Sequence, residues 1–235
     1  MALLDVNGLD VAYGGAQALF GVGLEVDRGE VVALLGRNGA GKSTMLKCVM
    51  GLVRPLSGRI TFDDHDITDL EAHAISRLGI GYVPEDRRIF TALNVAENLE
   101  VGRMARREGA PQWSVERVFS LFPGLAEIRD RRASRISGGE QQMLTVARTL
   151  MGNPSLLLLD EPSEGLAPRI VERMAETIAQ LKGEGIAILL AEQNLRFTGQ
   201  LADRAYVIET GGVRWQGPMA EFLADEAVQR AYLSV

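Results

Sequence analysis

The chain is 235 residues long, 46% hydrophobic and 24% charged, which suits one large soluble domain, or one domain with a sizeable insertion, built on a real core. A net charge of −6 argues against broad electrostatic binding of nucleic acid, and the single cysteine, Cys48, excludes an internal disulfide framework. The start, MALLDVNGLD, lacks the basic region and apolar core of a signal peptide. No apolar run approaches the ~20 residues that cross a bilayer, so any membrane role is expected to come through a partner.

Short β-prone runs at residues 3–6 and 24–26, divided by Gly14-Gly15, predict antiparallel β structure at the start, with Tyr13 just before the glycine pair. After the turn Asp27-Arg28-Gly29, the apolar run Val31–Leu35 reads as a buried strand leading into GRNGAGKST, residues 36–44. Gly36, Gly41, Lys42 and Ser43 satisfy the spacing G-x-x-x-x-G-K-[ST], and a breaker-free apolar stretch follows as a helix. Glycines let backbone N–H groups close on phosphate oxygens, and the helix N-terminus adds its positive dipole end. Lys42 would reach the β- and γ-phosphates, and the Ser43 hydroxyl would ligate Mg²⁺. This stretch predicts binding of a nucleoside triphosphate.

Residues 59–62 read as a short strand, and Asp63-Asp64-His65-Asp66 as a solvated loop without a partner histidine at ligand spacing. Residues 80–83 form another strand, stopped by Pro84 and followed by the charged loop 85–88. From 93 to 135 the pattern turns helical, with stretches at 94–106 and 114–121 parted by Gly109-Ala110-Pro111. An all-helical insertion of about residues 86–136 is therefore expected. Ser137-Gly138-Gly139-Glu140 opens a further helix with an anion-friendly N-terminus, stopped at Gly152-Asn153-Pro154. The buried strand 156–159 ends in Asp160-Glu161, at the edge where α/β sheets bind ligands, so Asp160 reads as the acid that holds Mg²⁺. A helix at 168–182, a strand at 186–191 ending in Glu192-Gln193-Asn194, a hairpin at 206–216 and two short helices to residue 235 complete the chain. Strands and helices alternating around a P-loop predict an α/β fold with a largely parallel, doubly wound sheet.

With the P-loop, ISGGEQQ and LLLLDEP in this order, the chain resembles the ATP-binding subunit of ATP-binding cassette (ABC) transporters over essentially its whole length. The resemblance implies a single nucleotide-binding domain spanning 1–235, with Tyr13 stacking on adenine and Gly36, Arg37, Asn38, Gly39, Ala40, Gly41, Lys42, Ser43 and Thr44 cradling the phosphates. It implies that Ser137, Gly138 and Gly139 contact the γ-phosphate of ATP held by an opposite subunit, that Glu161 polarises the attacking water, and that the helical insertion faces a membrane permease. Three positions depart from the family pattern: Glu85 stands for the usual glutamine, Gln193 for the switch histidine, and Ala167 for an aspartate.

VPEDRRIF, DEPSEGLAP, AEQN and the ending LADEAVQRAYL narrow the resemblance to the second ATPase subunit of branched-chain amino acid importers; importers of urea or other amides share most of these features. That likeness implies ATP and Mg²⁺ as cofactors, permease subunits, a homomeric or sister ATPase partner, and a solute-binding protein acting indirectly. It places the chain on the cytoplasmic face of the inner membrane. Glu85 reads as a third metal ligand, or as a residue that faces the permease or pairs with Arg87 or Arg88, and Gln193 as a weaker γ-phosphate sensor. A soluble cassette ATPase outside transport is the rival class.

Overall fold

The computed structural model describes residues 2–105, 107 and 112–233. Two long strands, β1 (Leu4–Tyr13) and β2 (Ala16–Val26), open the chain as an antiparallel pair. They run well beyond the short segments that alternation predicts, because register shifts between Val6 and Ala12 absorb the residues that break the pattern. β3 (Val31–Leu35) is buried throughout and feeds α1 (Lys42–Val49). β4 (Ser57–Phe62) adds to β1, and β5 (His65–Asp66) pairs with Thr61 and Phe62. The expected loop at 63–66 is thus a tight hairpin: Asp63 and Asp64 both take left-handed φ angles, 48° and 62°, a conformation short polar side chains tolerate.

After α2 (Ala72–Leu78) and β6 (Ile80–Val83) come α3 (Val95–Val101), α4 (Val115–Leu121) and α5 (Pro123–Ala126), with no strand of either sheet among the described residues before β7. The helix expected at 94–106 stops at Val101: the amide of Gly102 bonds to Leu99 O, and that of Met104 turns away to Met151 O at 3.3 Å. Arg106 and Gly109-Ala110-Pro111 lie outside the described residues. α6 (Gly138–Leu150) leads to β7 (Leu156–Asp160), α7 (Pro168–Gly183), β8 (Ala187–Glu192) and the short α8 (Leu195–Thr198). β9 (Arg204–Glu209), β10 (Gly212–Pro218), α9 (Met219–Ala224) and α10 (Glu226–Leu233) close the chain.

The strands form two sheets, ordered β2-β1-β4-β5 and β10-β9-β3-β8-β7-β6. The first is antiparallel; in the second β9, β3, β8, β7 and β6 run parallel and only β10 is reversed. Alternation along the parallel strands divides the core. Val32, Leu34, Leu156, Leu158 and Leu189 pack with Met45 and Leu46 of α1 against the antiparallel sheet. Leu157, Leu159, Ile188 and Leu190 face the other way, onto α3, α4, α6 and α7. Strands buried on both faces explain the unbroken apolar runs. This arrangement delivers the carboxyl ends of β3, β7 and β8 side by side, where Lys42, Asp160 and Glu192 emerge.

Candidate active site

The turn between β3 and α1 is set by close packing. Gly41 has φ +114°, and a Cβ there would fall 2.7 Å from Leu19 Cδ2. No side chain caps the N-terminus of α1, so its first N–H groups stay free for an anion. Lys42 is 3% exposed; its ammonium donates to Gly36 O (2.8 Å) and Arg37 O (3.2 Å) and pairs with Glu161 Oε1 at 2.9 Å. Ala40 is buried, and Arg37 carries its side chain out to solvent.

Side chains from β7 and β6 converge at the next residue, Ser43 of α1. The Ser43 hydroxyl donates to Asp160 Oδ1 at 2.8 Å, and the Tyr82 hydroxyl donates to Asp160 Oδ2 at 3.0 Å. Burial pushes the Asp160 carboxyl up from its ordinary range, an effect opposed by these two hydrogen bonds. Burial also pushes the Tyr82 phenol up, so it remains a donor at neutral pH. Glu161 follows in the left-handed region (φ +47°), held there by its amide bonding to Ala191 O at 2.9 Å. That conformation costs about 1–2 kcal/mol for a residue with a Cβ. It swings the carboxylate off the strand onto Lys42, and Gln193 Nε2 approaches Glu161 Oε2 at 3.4 Å.

Lys42, Ser43 and Glu161 border a cavity of about 420 Å³ whose walls also include Asn38, Gly39, Gly41 and Thr44 of the glycine-rich loop, Glu85 and Glu164, while Asp160 and Gln193 stand behind Ser43 and Glu161 rather than on the wall. Glu164, brought close by its amide bonding to Glu161 O (3.1 Å), has its carboxyl pushed up by a hydrogen bond to Glu161 and by burial. Three carboxylates against one ammonium make an inhospitable seat for a bare polyphosphate, so a divalent cation fits the charge balance. Among the described residues no three His, Cys, Asp or Glu side chains form a metal cluster on their own. A cation here would need phosphate oxygens beside the Ser43 hydroxyl and Asp160.

Not every expected residue reaches this cavity. Tyr13, 47% exposed, sits at the tip of the β1–β2 hairpin and is not part of the wall; Gln17, Ala18 and Phe20 of β2 are. Ser137 caps α6 reciprocally with Glu140, its amide donating to Glu140 Oε2 at 2.6 Å and its oxygen accepting from Glu140 N at 3.3 Å. Neither it nor Gly138 and Gly139 borders the cavity. Glu85 pairs with neither neighbouring arginine: Arg88 pairs with Asp86 at 2.8 Å, and the Arg87 guanidinium lies against Gly138. The ion-pair reading of Glu85 is therefore corrected, since its side chain faces the cavity instead.

Tyr82 and Phe20 escaped the sequence reading, and Glu192 was read only as the ligand-facing end of its strand. Tyr82 was visible only as a strand aromatic, and the cue was its hydroxyl on a strand neighbouring β7. Phe20 lay in a stretch with no motif. Glu192, 1% exposed, accepts from the amides of Ser163 (3.0 Å), Gln193 (3.0 Å) and Asn194 (3.1 Å), tying the loop after β7 to the loop after β8. A carboxylate closing an apolar strand was its signal.

A family model described as "ABC transporter" matches residues 19–164, more than half of the chain. The chain belongs to the ABC transporter family. Within it, the chain is similar to BraG of Pseudomonas aeruginosa, a "high-affinity branched-chain amino acid transport ATP-binding protein", at 44% identity over 231 residues, covering 98% of this chain and 99% of the relative. It is 37% identical over 235 residues to LptB of Escherichia coli (strain K12), a "lipopolysaccharide export system ATP-binding protein", covering 99% and 98%. The solved ADP conformation of an ATP-binding cassette of an ABC transporter matches with a TM-score of 0.84 at 28% identity, covering 100% of both chains. This ABC transporter chain is thus an ATPase with the P-loop fold. Among its described residues, no helix is long and apolar enough to cross a membrane.

Proposed function

We propose that the chain is the ATP-hydrolysing subunit of an importer of branched-chain amino acids. The observation that carries this reading is the 44% identity to BraG over almost the full length of both chains. In this reading the glycine-rich loop and the N-terminus of α1 hold the phosphates, and Lys42 moves from Glu161 toward them. Ser43 and Asp160, with Glu85 beside them, would hold Mg²⁺, which would neutralise charge building on the γ-phosphoryl group. Glu161, once relieved of Lys42, orients and deprotonates the attacking water. Gln193, at 3.4 Å from Glu161, keeps an amide donor where a histidine would carry a proton. Ser137, Gly138 and Gly139 lie away from their own chain's cavity, which supports their serving the site of a second ATPase subunit. The weak sensor at Gln193 favours a sister chain over a second copy.

Residues 86–136 form the subdomain that meets the permease. A groove of about 470 Å³ between this subdomain and the core is rimmed by Leu52, Phe90 and Val101, which are 49%, 47% and 54% exposed. Inside it Arg148 Nη1 is buried without an acceptor among the described residues. The occupant that suits it is a permease helix with an apolar face and one carbonyl or carboxylate to meet Arg148. Such docking puts the chain at the cytoplasmic face of the inner membrane, with a solute-binding protein delivering substrate on the far side.

Deleting the gene is expected to abolish uptake of labelled leucine, isoleucine and valine, restored by the wild-type chain and not by Lys42→Ala. Unchanged uptake with failed lipopolysaccharide export would instead support the second reading, which the near-complete match to LptB favours.

The nucleoside is expected against β2. Phe20, 51% exposed, lines the cavity, and its amide donates to Gly211 O at 2.8 Å while Gly211 N donates to Ala40 O at 2.9 Å. A Cβ on Gly211 would fall 2.9 Å from the Phe20 ring, so the glycine makes room for that ring beside the phosphate loop. Phe20→Ala is expected to weaken ATP binding about fivefold, the lower end for loss of base–aromatic contact, and to leave inorganic triphosphate unaffected. Calorimetry on both ligands checks this. If Tyr13→Ala accounts for the whole loss and Phe20→Ala for none, the base rests on the hairpin tip.

A further inference from the structure

One side chain borders both the nucleotide end of the molecule and the groove. Tyr82 stands on β6, next to β7, with its hydroxyl donating to Asp160 Oδ2 at 3.0 Å. The same residue forms part of the groove wall together with Phe90 and Arg148. Asp160 is gripped from both sides, since its other oxygen takes the Ser43 hydroxyl at 2.8 Å. A carboxylate held by two donors has a fixed orientation, and losing one donor frees it to rotate.

The groove side of this connection is rigidly built. Buried Asn98 clamps the Phe90 backbone, accepting from its amide at 2.9 Å and donating to its carbonyl at 3.0 Å. The Arg148 guanidinium lies 5.0 Å from the centre of the Phe90 ring and donates to Arg88 O at 2.8 Å. Pressure from an occupant therefore meets a braced wall on the Phe90 side, while Tyr82, half-buried on β6, is anchored at its tip by its hydrogen bond to Asp160.

We propose that Tyr82 is a positioning residue that couples occupation of the groove to the divalent-cation end of the nucleotide site. The inference rests on the reading above, in which Ser43 and Asp160 hold the cation and a permease helix fills the groove. A helix seated there packs on the Tyr82 ring and holds its hydroxyl on Asp160, keeping Asp160 aligned with Ser43. Linkage makes the effect reciprocal: the cation-bound nucleotide strengthens docking by the factor with which docking strengthens cation binding.

Tyr82→Phe keeps the ring and removes only the hydroxyl. The first measurement is ADP affinity by calorimetry with and without Mg²⁺, the ratio giving the tightening due to the cation. Tyr82→Phe is expected to reduce that ratio about tenfold, the scale of a hydrogen bond to a charged group, while affinity without Mg²⁺ stays unchanged. In the assembled transporter, the factor by which the permease stimulates hydrolysis is expected to fall by a similar amount. An unchanged ratio, equal losses with and without Mg²⁺, or undiminished stimulation by the permease would each overturn the proposal. Ser43→Ala in the same titration separates the two levels. If it too leaves the Mg²⁺ ratio intact, the reading of the cation site fails, and not merely the role of Tyr82.

Discussion

Glu161→Gln is expected to slow ATP hydrolysis about 10²- to 10⁴-fold, the range for loss of a positioned general base, while ATP still binds. The glutamine is nearly isosteric, so the left-handed turn at residue 161 and its amide bond to Ala191 O remain. What disappears is the negative charge that now pairs with Lys42 at 2.9 Å and that, in the proposed mechanism, accepts a proton from water. Because Lys42 is shared between Glu161 and any incoming phosphate, removing the carboxylate also removes the competitor. ATP affinity is therefore expected to hold or rise while kcat collapses, a split that single-turnover hydrolysis and equilibrium binding together reveal. Hydrolysis within threefold of wild type would show that Glu161 is not the base.

Lys42→Ala is expected to lower both nucleotide affinity and stability. The Lys42 and Glu161 side chains are 3% and 6% exposed, so the substitution leaves a largely buried carboxylate without its cation. Breaking a buried pair from one side costs about 3 kcal/mol, which for a chain of this size lowers the melting temperature by about 6–12 °C. The double variant Lys42→Ala/Glu161→Gln carries no stranded charge and is expected to recover most of that loss, though not the phosphate affinity. Thermal melts of the four proteins of this cycle measure the coupling directly. A double variant no more stable than Lys42→Ala would mean that the pair contributes little and that Lys42 acts through its backbone partners.

The elements that could be read from the sequence share a cause. GRNGAGKST and the SGGEQQ helix start are local: a turn, its phosphate-facing groups and the capping residues lie within ten positions of one another. The β3 and β7 runs, buried on both faces, announced themselves as unbroken apolar stretches. What escaped depends on partners far along the chain. Tyr82 matters because β6 lies beside β7 and brings its hydroxyl to Asp160, and alternation along a four-residue strand does not encode that neighbour. Phe20 matters because residue 211 is a glycine that lets its ring lie beside the phosphate loop. Glu192 reads as a strand end, yet its three amide donors come from two loops that only the sheet order brings together. The short reading of β1 and β2 failed for a different reason, since bulges interrupt alternation without interrupting pairing.

The sheet order has a consequence for how the protein is made. β3, which carries the phosphate loop, is flanked by Ala187–Glu192 on one side and Arg204–Glu209 on the other. Both neighbours are synthesised more than 150 residues after it, since Ile188 pairs with Val31 and Arg204 with Val32. During translation β3 leaves the ribosome with two unpaired edges and no strand to accept it, while β1 and β2 can already zip together as a local hairpin. The phosphate loop is therefore expected to take shape late, with the slow, long-range contacts. A nascent chain halted near residue 185 is expected to hold a formed antiparallel sheet and to ignore ATP. This order is expected to keep nucleotide hydrolysis silent until the chain is nearly complete.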